Sequence, residues 1–388
     1  MRVTARVHAS SCLVCHDMLS FDLDSLGRIG LTSALRARAH ALAAACGTDA
    51  LLALGRITAV HRETVQWHDG SREHTARPLP RALRELHDAG SALAVGDWAL
   101  LARECGAAED AGWWLHARVP PTTHVARRDG NGNRRAIVSN VDTLVIVTGL
   151  DEDFNLRRVE RYVALAHASG VDPLLVLTKA DVAARDPVRL GACLAEVDAR
   201  FGPMLERIVV DATDPGTAAR LARHVPGRLA AGQTLVLLGS SGAGKSTLTN
   251  TLLGQPVQDT GPVRAHDGRG MHTTTARTLH RLPCGACIVD TPGVRTLRAD
   301  VDEATLAAGF ADVAHLASRC RFRDCRHAGE PGCAVRAGVD PDRLRNFQKM
   351  LREAHRDSQT WLERRQQVAA WKSRGKAAKE RMRQKHGR

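Results

Sequence analysis

The chain has 388 residues, and its 55 Lys and Arg against 42 Asp and Glu give a formal charge of +13. This length allows two or three domains with separate cores. The positive charge favours a polyanionic partner such as nucleic acid; the alternative is that the chain is simply rich in arginine, with no binding role for the charge. The sequence lacks the ~20-residue apolar run of a membrane span and the apolar segment of a secretory signal. We therefore expect a cytoplasmic protein without membrane contact, whose ten cysteines are reduced thiols or metal ligands.

Residues 1–50 form an N-terminal extension that we expect to be partly helical or disordered. Within it, the alanine- and arginine-rich residues 33–45 predict a helix. Cys12, Cys15 and His16 match the C-x-x-C-H pattern of haem c attachment, but that chemistry needs export, so chance is the better explanation. Met18 is a candidate translation start, which would leave the first 17 residues untranslated.

Residues 51–125 carry short strand patterns separated by turn signals. One strand covers residues 52–60, and a hairpin turning at Asp69-Gly70 follows it. Further strands cover residues 95–101 and 113–119. The pattern predicts a small β-barrel of the OB-fold type, a common oligonucleotide-binding platform, although a barrel with no binding role would have the same pattern.

Residues 136–300 alternate between buried strands and helices, after a polar connector at 127–135. The predicted strands cover residues 144–148, 173–178, 207–210 and 234–238, and the predicted helices cover 156–168, 187–201 and 217–224. Near-continuous apolar strands between helices indicate a parallel sheet covered on both faces. The pattern of residues 301–388 predicts a helical domain with a cysteine cluster and a basic tail over 372–388. The tail is either a solvated helix or a frayed end, and its charge makes it a candidate RNA contact.

The strongest chemical signal is a phosphate loop of the form G-x-x-x-x-G-K-[ST]. It consists of Gly239, Ser240, Ser241, Gly242, Ala243, Gly244, Lys245 and Ser246, followed by Thr247. A buried strand before it and a helical stretch after it are the context that such a loop requires. Lys245 would reach the β- and γ-phosphates, and the Ser246 hydroxyl would bind Mg²⁺.

A guanine-specificity motif of the form [NT]-K-x-D comes earlier in the chain. It consists of Thr178, Lys179, Ala180 and Asp181. The Asp181 carboxylate can accept hydrogen bonds from N1–H and the N2 amino group of guanine, and adenine has neither donor there. At the end of the next strand, Ala212 would offer its backbone N–H to guanine O6, although Asp211 stands where serine is usual.

The order of the motifs is informative in itself. Asp290-Thr291-Pro292-Gly293 follows the phosphate loop as a D-x-x-G metal and γ-phosphate sensor, with Asp290 and Gly293 as its binding residues. In most GTPases the guanine motif comes last, whereas here it precedes both other motifs. The sequence therefore predicts an α/β P-loop GTPase domain with circularly permuted motifs.

The residues around the sensor bear on catalysis. Residues 271–275 (Met-His-Thr-Thr-Thr) have the composition of a switch loop, and of the three threonines we choose Thr274 as the Mg²⁺ ligand. Val294 stands where Ras-like proteins place the glutamine that orients water, so unassisted hydrolysis should be slow. His272 is a candidate catalytic residue, and a partner that completes the site is an equal alternative.

A metal-ligand pattern lies in the C-terminal segment. The candidate ligands are Cys320, Cys325, His327 and Cys333. Three thiolates and one imidazole are a typical donor set of a structural zinc site. Cys284 and Cys287 form another C-x-x-C, but no second pair accompanies them, and we expect both to be core thiols.

Taken together, these motifs resemble the RsgA (YjeQ) family of ribosome-associated GTPases over residues 51–335. The stretches that carry the resemblance are Val95-Gly96-Asp97-Trp98, Asn140-Val141-Asp142, Thr178-Lys179-Ala180-Asp181, the phosphate loop, His272-Thr273-Thr274-Thr275, Asp290-Thr291-Pro292-Gly293-Val294, and the cysteine cluster. The resemblance implies a GTPase that binds the small ribosomal subunit and its rRNA late in assembly, with Mg²⁺ and one structural zinc. It also implies a catalytic role for His272. Met271 in place of arginine and Asp211 in place of serine depart from the family pattern.

Two other functions remain open at this point. The chain can be a GTP-regulated RNA-binding assembly factor in which hydrolysis is incidental, or an ATP-dependent enzyme acting on a small molecule. No coiled-coil pattern indicates an oligomer, and we expect a monomer.

Overall fold

The computed structural model describes residues 22–46, 51–103, 112–129, 133–257, 277–293 and 300–358. The strands in these ranges are β1 (Ala53–Val60), β2 (Val65–His68), β3 (Glu73–Pro78), β4 (Trp98–Arg103), β5 (Trp113–Arg118), β6 (His124–Arg128), β7 (Arg134–Ser139), β8 (Thr143–Gly149), β9 (Asp172–Thr178), β10 (Arg207–Val209), β11 (Thr234–Gly239), β12 (Thr278–Arg281) and β13 (Cys287–Asp290). The helices are α1 (Leu23–Gly27), α2 (Ser33–Ala45), α3 (Pro80–Asp88), α4 (Leu156–Ala168), α5 (Ala180–Ala183), α6 (Pro187–Phe201), α7 (Thr217–His224), α8 (Lys245–Leu253), α9 (Glu303–Gly309), α10 (Ala311–Ala317), α11 (Ala334–Gly338) and α12 (Pro341–Ser358).

The first five strands close into a small barrel in the order β1-β2-β3-β5-β4, with β4 paired back onto β1. Alternate side chains point inward, and Trp67 is the largest of them. Gly55 faces this ring so closely that a Cβ there would lie 2.0 Å from Trp67 Cε3, and only glycine fits. The barrel predicted from the short strands is present.

The second part of the sheet has the order β10-β9-β8-β11-β13-β12 and is parallel except for β12. Successive residues of each strand face opposite sides, as the pleat requires. Leu144 and Ile146 pack under α4, whereas Val145 and Val147 pack with α7 and α8. Burial on both faces explains why these strands have near-continuous apolar sequences.

The barrel and this sheet are continuous, because Ala59 of β1 pairs with Thr278 of β12. Below that pair, Arg56 is fully buried and donates hydrogen bonds of 2.8 Å to the Asn140 carbonyl and 2.9 Å to Thr234 Oγ1. Thr234 is the first residue of β11, and Asn140 directly follows β7 in the short connection to β8. Burial of the guanidinium therefore fixes the barrel wall to the base of the strand that leads into the phosphate loop.

The N-terminal helix α2 belongs to the core. Leu35, Ala39 and Ala43 recur at a spacing of four, so they lie on one face of the helix, and all three are buried in the same cluster as Leu144 and Ile146. The first 21 residues, which include Met18 and the C-x-x-C-H pattern, lie outside the described residues.

The expectation that residues 127–135 form a polar connector is wrong in part. Residues 127–128 end β6 and residues 134–135 begin β7, and these two strands pair antiparallel. Arg128 and Arg134 both donate to Asp300, at 2.7 and 2.8 Å. The strand pair also buries Val125, Ile137 and Val138 in the core, but residues 127–135 themselves are mostly polar, so their local sequence did not indicate strands.

The C-terminal helices α9 to α12 enclose a core of their own. It includes Leu306, Phe310, Val313, Val335 and Met350. Ala164 of α4 completes this core, which places the C-terminal unit against the helices that cover the parallel sheet. The basic tail over 372–388 lies outside the described residues.

Candidate functional site

The phosphate loop joins the end of β11 to the start of α8. Gly244 at its end has φ of 88°, a left-handed conformation that favours glycine. Gly239 at its start passes so near β8 that a Cβ would lie 2.3 Å from the Val147 carbonyl oxygen. The glycines of the motif are therefore required by the turn and by close backbone approach.

Lys245 lies inside this loop with 6% of its surface exposed. Its Nζ donates to the carbonyl oxygens of Gly239 at 3.2 Å and Ser240 at 2.7 Å. Burial lowers the pKa of Lys245 to about 8, and the nearby Asp290 carboxylate offsets only part of that effect. An ammonium with so little hydration is well suited to bind phosphate oxygens.

The guanine motif touches the phosphate loop directly. Thr178 is fully buried, and its Oγ1 donates a 2.6 Å hydrogen bond to the Ala243 carbonyl. Lys179 has φ of 61°, and its Nζ forms an ion pair with Asp151. The left-handed backbone ends β9 and turns the chain into α5, where Asp181 lies exposed in the first turn.

Ala212 joins the same assembly. It is buried after the end of β10, and Thr251 of α8 donates to its carbonyl at 2.6 Å. The Asp211 side chain accepts hydrogen bonds from Thr213 N at 2.8 Å and Thr213 Oγ1 at 2.6 Å. Asp211, which stands where serine is usual, therefore stabilises the turn that follows it.

The D-x-x-G motif lies against the phosphate loop from the other side. Asp290 ends β13 and is fully buried, and Thr291 Oγ1 donates to the Leu237 carbonyl at 2.6 Å. A Cβ at Gly293 would lie 2.7 Å from the Ser241 backbone nitrogen. The three motifs, which are separate in the sequence, therefore meet at the carboxyl ends of the parallel strands.

Some sequence-predicted residues cannot be placed. His272, Thr274 and Val294 lie outside the described residues. Conversely, Asp151 and Asp153 were not predicted, although they contact Lys179 and Ser240. The available signal was their place directly after the buried strand β8, at the sheet edge where ligands bind.

The four candidate metal ligands come together in one cluster. One donor atom of each lies within 4.8 Å of all the others. The Sγ atoms of Cys320 and Cys333 are 3.9 Å apart, and Cys333 Sγ is 3.5 Å from His327 Nδ1. Tetrahedral zinc with Zn–S of about 2.3 Å and Zn–N of about 2.0 Å gives ligand–ligand separations of roughly 3.5–3.8 Å, so this donor set fits the ion.

Polar contacts hold the cluster loop in shape. His327 has φ of 58°, and its carbonyl accepts a 2.9 Å hydrogen bond from Gln348 Nε2 of α12. Glu330 accepts from the backbone N–H groups of three neighbouring residues, and these bonds lower its pKa to about 2. In contrast, the interpretation of Cys284 as a core thiol is wrong, because it lies exposed in the β12–β13 turn, whereas Cys287 is buried as expected.

Comparisons with known proteins agree with this geometry. The family model described as RsgA GTPase matches residues 119–300. A protein named small ribosomal subunit biogenesis GTPase RsgA from Xanthomonas oryzae pv. oryzae is 44% identical over 282 residues, which cover 71% of this chain and 73% of that protein. Its namesake from Xanthomonas axonopodis pv. citri is 44% identical over 287 residues, with 72% and 74% covered. This chain belongs to the RsgA GTPase family.

Solved structures support the fold. YjeQ from Thermotoga maritima is similar with a TM-score of 0.53 at 20% identity, over 78% of this chain and 99% of that one. YloQ, described as a circularly permuted GTPase, gives a TM-score of 0.54 at 20% identity, over 80% and 97%. The predicted family, its GTP-hydrolysing class and the fold of barrel, permuted GTPase domain and C-terminal Cys₃His unit are confirmed. Within the described residues, no helix is long and apolar enough to cross a membrane.

Proposed function

We propose that this GTPase binds the small ribosomal subunit and assists its late maturation, hydrolysing GTP with stimulation by the subunit. The observation that carries the nucleotide chemistry is the hydrogen bond from Thr178 to Ala243, because it joins a guanine-specific motif to a phosphate loop. The ribosomal role rests on the names of the relatives, which are RsgA proteins of small-subunit biogenesis.

The GTP site that we propose spans the assembled motifs. Its residues are Thr178, Lys179, Ala180, Asp181, Ala212, the loop from Gly239 to Thr247, Asp290 and Gly293. Mg²⁺ would accompany the nucleotide and be held by Ser246 and Thr274, supplying charge neutralisation of the phosphates. Lys245 binds phosphate oxygens, and Asp181 selects the base. His272 would orient or deprotonate the attacking water.

We assign the Cys₃His cluster to one structural zinc ion, held by Cys320, Cys325, His327 and Cys333. The cluster loop also supports an rRNA contact. Arg321, Arg323 and Arg326 are exposed there, and Phe322 is 41% exposed beneath the Arg321 guanidinium. Exposed cations beside an aromatic face can bind phosphates and stack on a base.

We also propose a monomeric, cytoplasmic protein with four segments. They are an extension over 1–50, the OB-fold barrel over 51–125, the permuted GTPase domain over 136–300, and the zinc-binding domain with its basic tail over 301–388. The expected absence of membrane contact belongs to this proposal.

The ribosomal proposal is tested by co-sedimentation with purified small subunits in GDP or in a non-hydrolysable GTP analogue. We expect stronger binding with the analogue, since in GTPases the γ-phosphate orders the switch segments. Equal and weak binding in both nucleotides would contradict the assignment of this partner.

The alternative is an assembly factor in which hydrolysis is incidental. The His272→Ala variant separates the two functions. If the chain acts as a subunit-stimulated enzyme, the variant should lose stimulated turnover and keep subunit binding. If hydrolysis is incidental, release of the protein from mature subunits should be unchanged in the variant.

A further inference from the structure

The loop between β8 and α4 contacts two parts of the proposed nucleotide site. Asp151 pairs with Lys179, and Asp153 Oδ2 accepts a 2.5 Å hydrogen bond from Ser240 Oγ. Ser240 is the second residue of the phosphate loop, and its side chain is buried. One short loop therefore touches both the guanine motif and the phosphate loop.

Asp153 is also bound to the helix that follows it. Arg158 of α4 donates to both carboxylate oxygens of Asp153, at 2.6 and 3.1 Å. Burial alone would raise the pKa of Asp153, but the hydrogen bonds from Arg158 and Ser240 outweigh it and lower the pKa. Asn155 caps the helix by accepting from the Arg158 backbone N–H at 3.2 Å. A displacement of Ser240 would thus move Asp153 together with the first turn of α4.

The opposite side of α4 is fixed to the C-terminal unit. The Glu160 side chain is 1% exposed and accepts hydrogen bonds from Arg343 at 2.8 Å and Asn346 at 2.5 Å, both on α12. Arg161 forms a second ion pair with Glu353 of α12 at 2.7 Å. A buried ion pair is costly to break because the remaining charge is left without compensation. We therefore expect α4 and α12 to move as one body.

The same helix α12 reaches the metal cluster. Gln348 donates to the carbonyl of His327, one of the four candidate ligands. Arg343 also pairs with Asp312 of α10 at 2.8 Å, which adds a second helix of the C-terminal unit to the connection. An unbroken series of hydrogen bonds and helical segments thus runs from Ser240 to His327.

We propose that Asp153 is a positioning residue for the phosphate loop, and that α4 transmits nucleotide occupancy of this loop to α12 and the Cys₃His cluster. The proposal rests on the nucleotide site proposed above. It does not require residues 294–299, which connect the D-x-x-G motif to the C-terminal unit along the chain. Because coupling is reciprocal, a partner that binds the cluster would change nucleotide affinity by the same factor.

The test compares hydrogen exchange of the zinc-loaded, full-length protein with and without GDP. In the wild type we expect GDP to slow exchange of the α12 amides. Asp153→Asn, at one end of the connection, and Glu160→Gln, at the other, should each remove most of this response while zinc content stays at one per chain. The matched control is Asp198→Asn, which breaks the ion pair of Asp198 with Arg207 on α6 and β10 and should leave the response intact.

A second measurement uses affinities for a fluorescent GDP. If Asp153 and Glu160 act through one connector, the double variant should bind no more than about twofold more weakly than the weaker single variant. Independent effects would multiply instead and contradict the proposal.

The outcomes also separate this inference from the function proposed above. GDP binding without any α12 response in the wild type, or an equal response in all variants, overturns the transmission alone. Failure of the wild type to bind GDP would refute the nucleotide site and, with it, this proposal.

Discussion

Thr178 Oγ1 lies 2.6 Å from the carbonyl oxygen of Ala243, and both residues are buried. This hydrogen bond joins the end of β9 to the phosphate loop across 65 residues of sequence. It holds the guanine motif directly against the phosphate loop, although circular permutation has exchanged their order in the chain. The permuted order therefore does not separate these two motifs in space.

We predict that Thr178→Val weakens GDP binding by about 5- to 30-fold. The substitution leaves the buried Ala243 carbonyl without its hydrogen bond, which costs about 1–2 kcal/mol. Thr178→Ser keeps the hydroxyl and should stay within about threefold of the wild type. Fluorescent-GDP titration measures both, and wild-type affinity in the valine variant would refute a role for this contact.

Asp181→Asn should weaken guanine nucleotides by about 5- to 150-fold and improve relative binding of xanthine nucleotides. An amide cannot accept both guanine donors, but it can donate to the xanthine O2. Competition titrations with GDP, XDP and ADP give the ranking. Asp186→Asn is the matched control, because Asp186 caps α6 and asparagine caps a helix equally well. Unchanged GDP preference in Asp181→Asn would show that another residue selects the base.

Cys333→Ser should reduce bound zinc from one equivalent to almost none. It should also lower the helical circular-dichroism signal, since structural zinc contributes directly to folding. Cys284→Ser, at the exposed turn, is the matched control and should change neither quantity. Full zinc content in Cys333→Ser would exclude that thiol from the site.

GDP binding should take up a proton through Lys245. The pKa of this lysine is about 8 in the protein, below its ordinary 10.5, and the phosphates favour the charged form and raise it. Uptake should therefore be about 0.1 proton near pH 7 and about 0.8 near pH 8.5, and affinity should fall as pH rises through 8. Calorimetry in buffers of different ionisation enthalpy measures the uptake. Equal uptake at both pH values would contradict the lowered pKa.

Local patterns predicted the elements that their own residues specify. The α6 helix begins where Asp186 accepts from the Arg189 backbone and Pro187 occupies the first position, so the sequence contains its start signal. The parallel strands were equally predictable from the sequence, because a strand buried on both faces of the sheet needs apolar residues along its whole length.

Elements that depend on distant partners were not predictable in this way. The arginines at the facing ends of β6 and β7 pair with Asp300, more than 160 residues away, and residues 127–135 show no apolar alternation. The contact of Asp153 with Ser240 forms only because β8 and β11 pair side by side, so the sequence around Asp153 does not indicate it. Such contacts form only in the tertiary structure, and the local periodicity of the sequence does not predict them.

The measurement that tests the account most directly is multiple-turnover hydrolysis of GTP and of ATP, each with and without purified small ribosomal subunits. We predict slow turnover of GTP alone, little or no turnover of ATP, and a large rise in GTP turnover when subunits are added. Comparable ATP turnover would contradict the guanine site around Asp181. GTP turnover that subunits leave unchanged would contradict the ribosomal role.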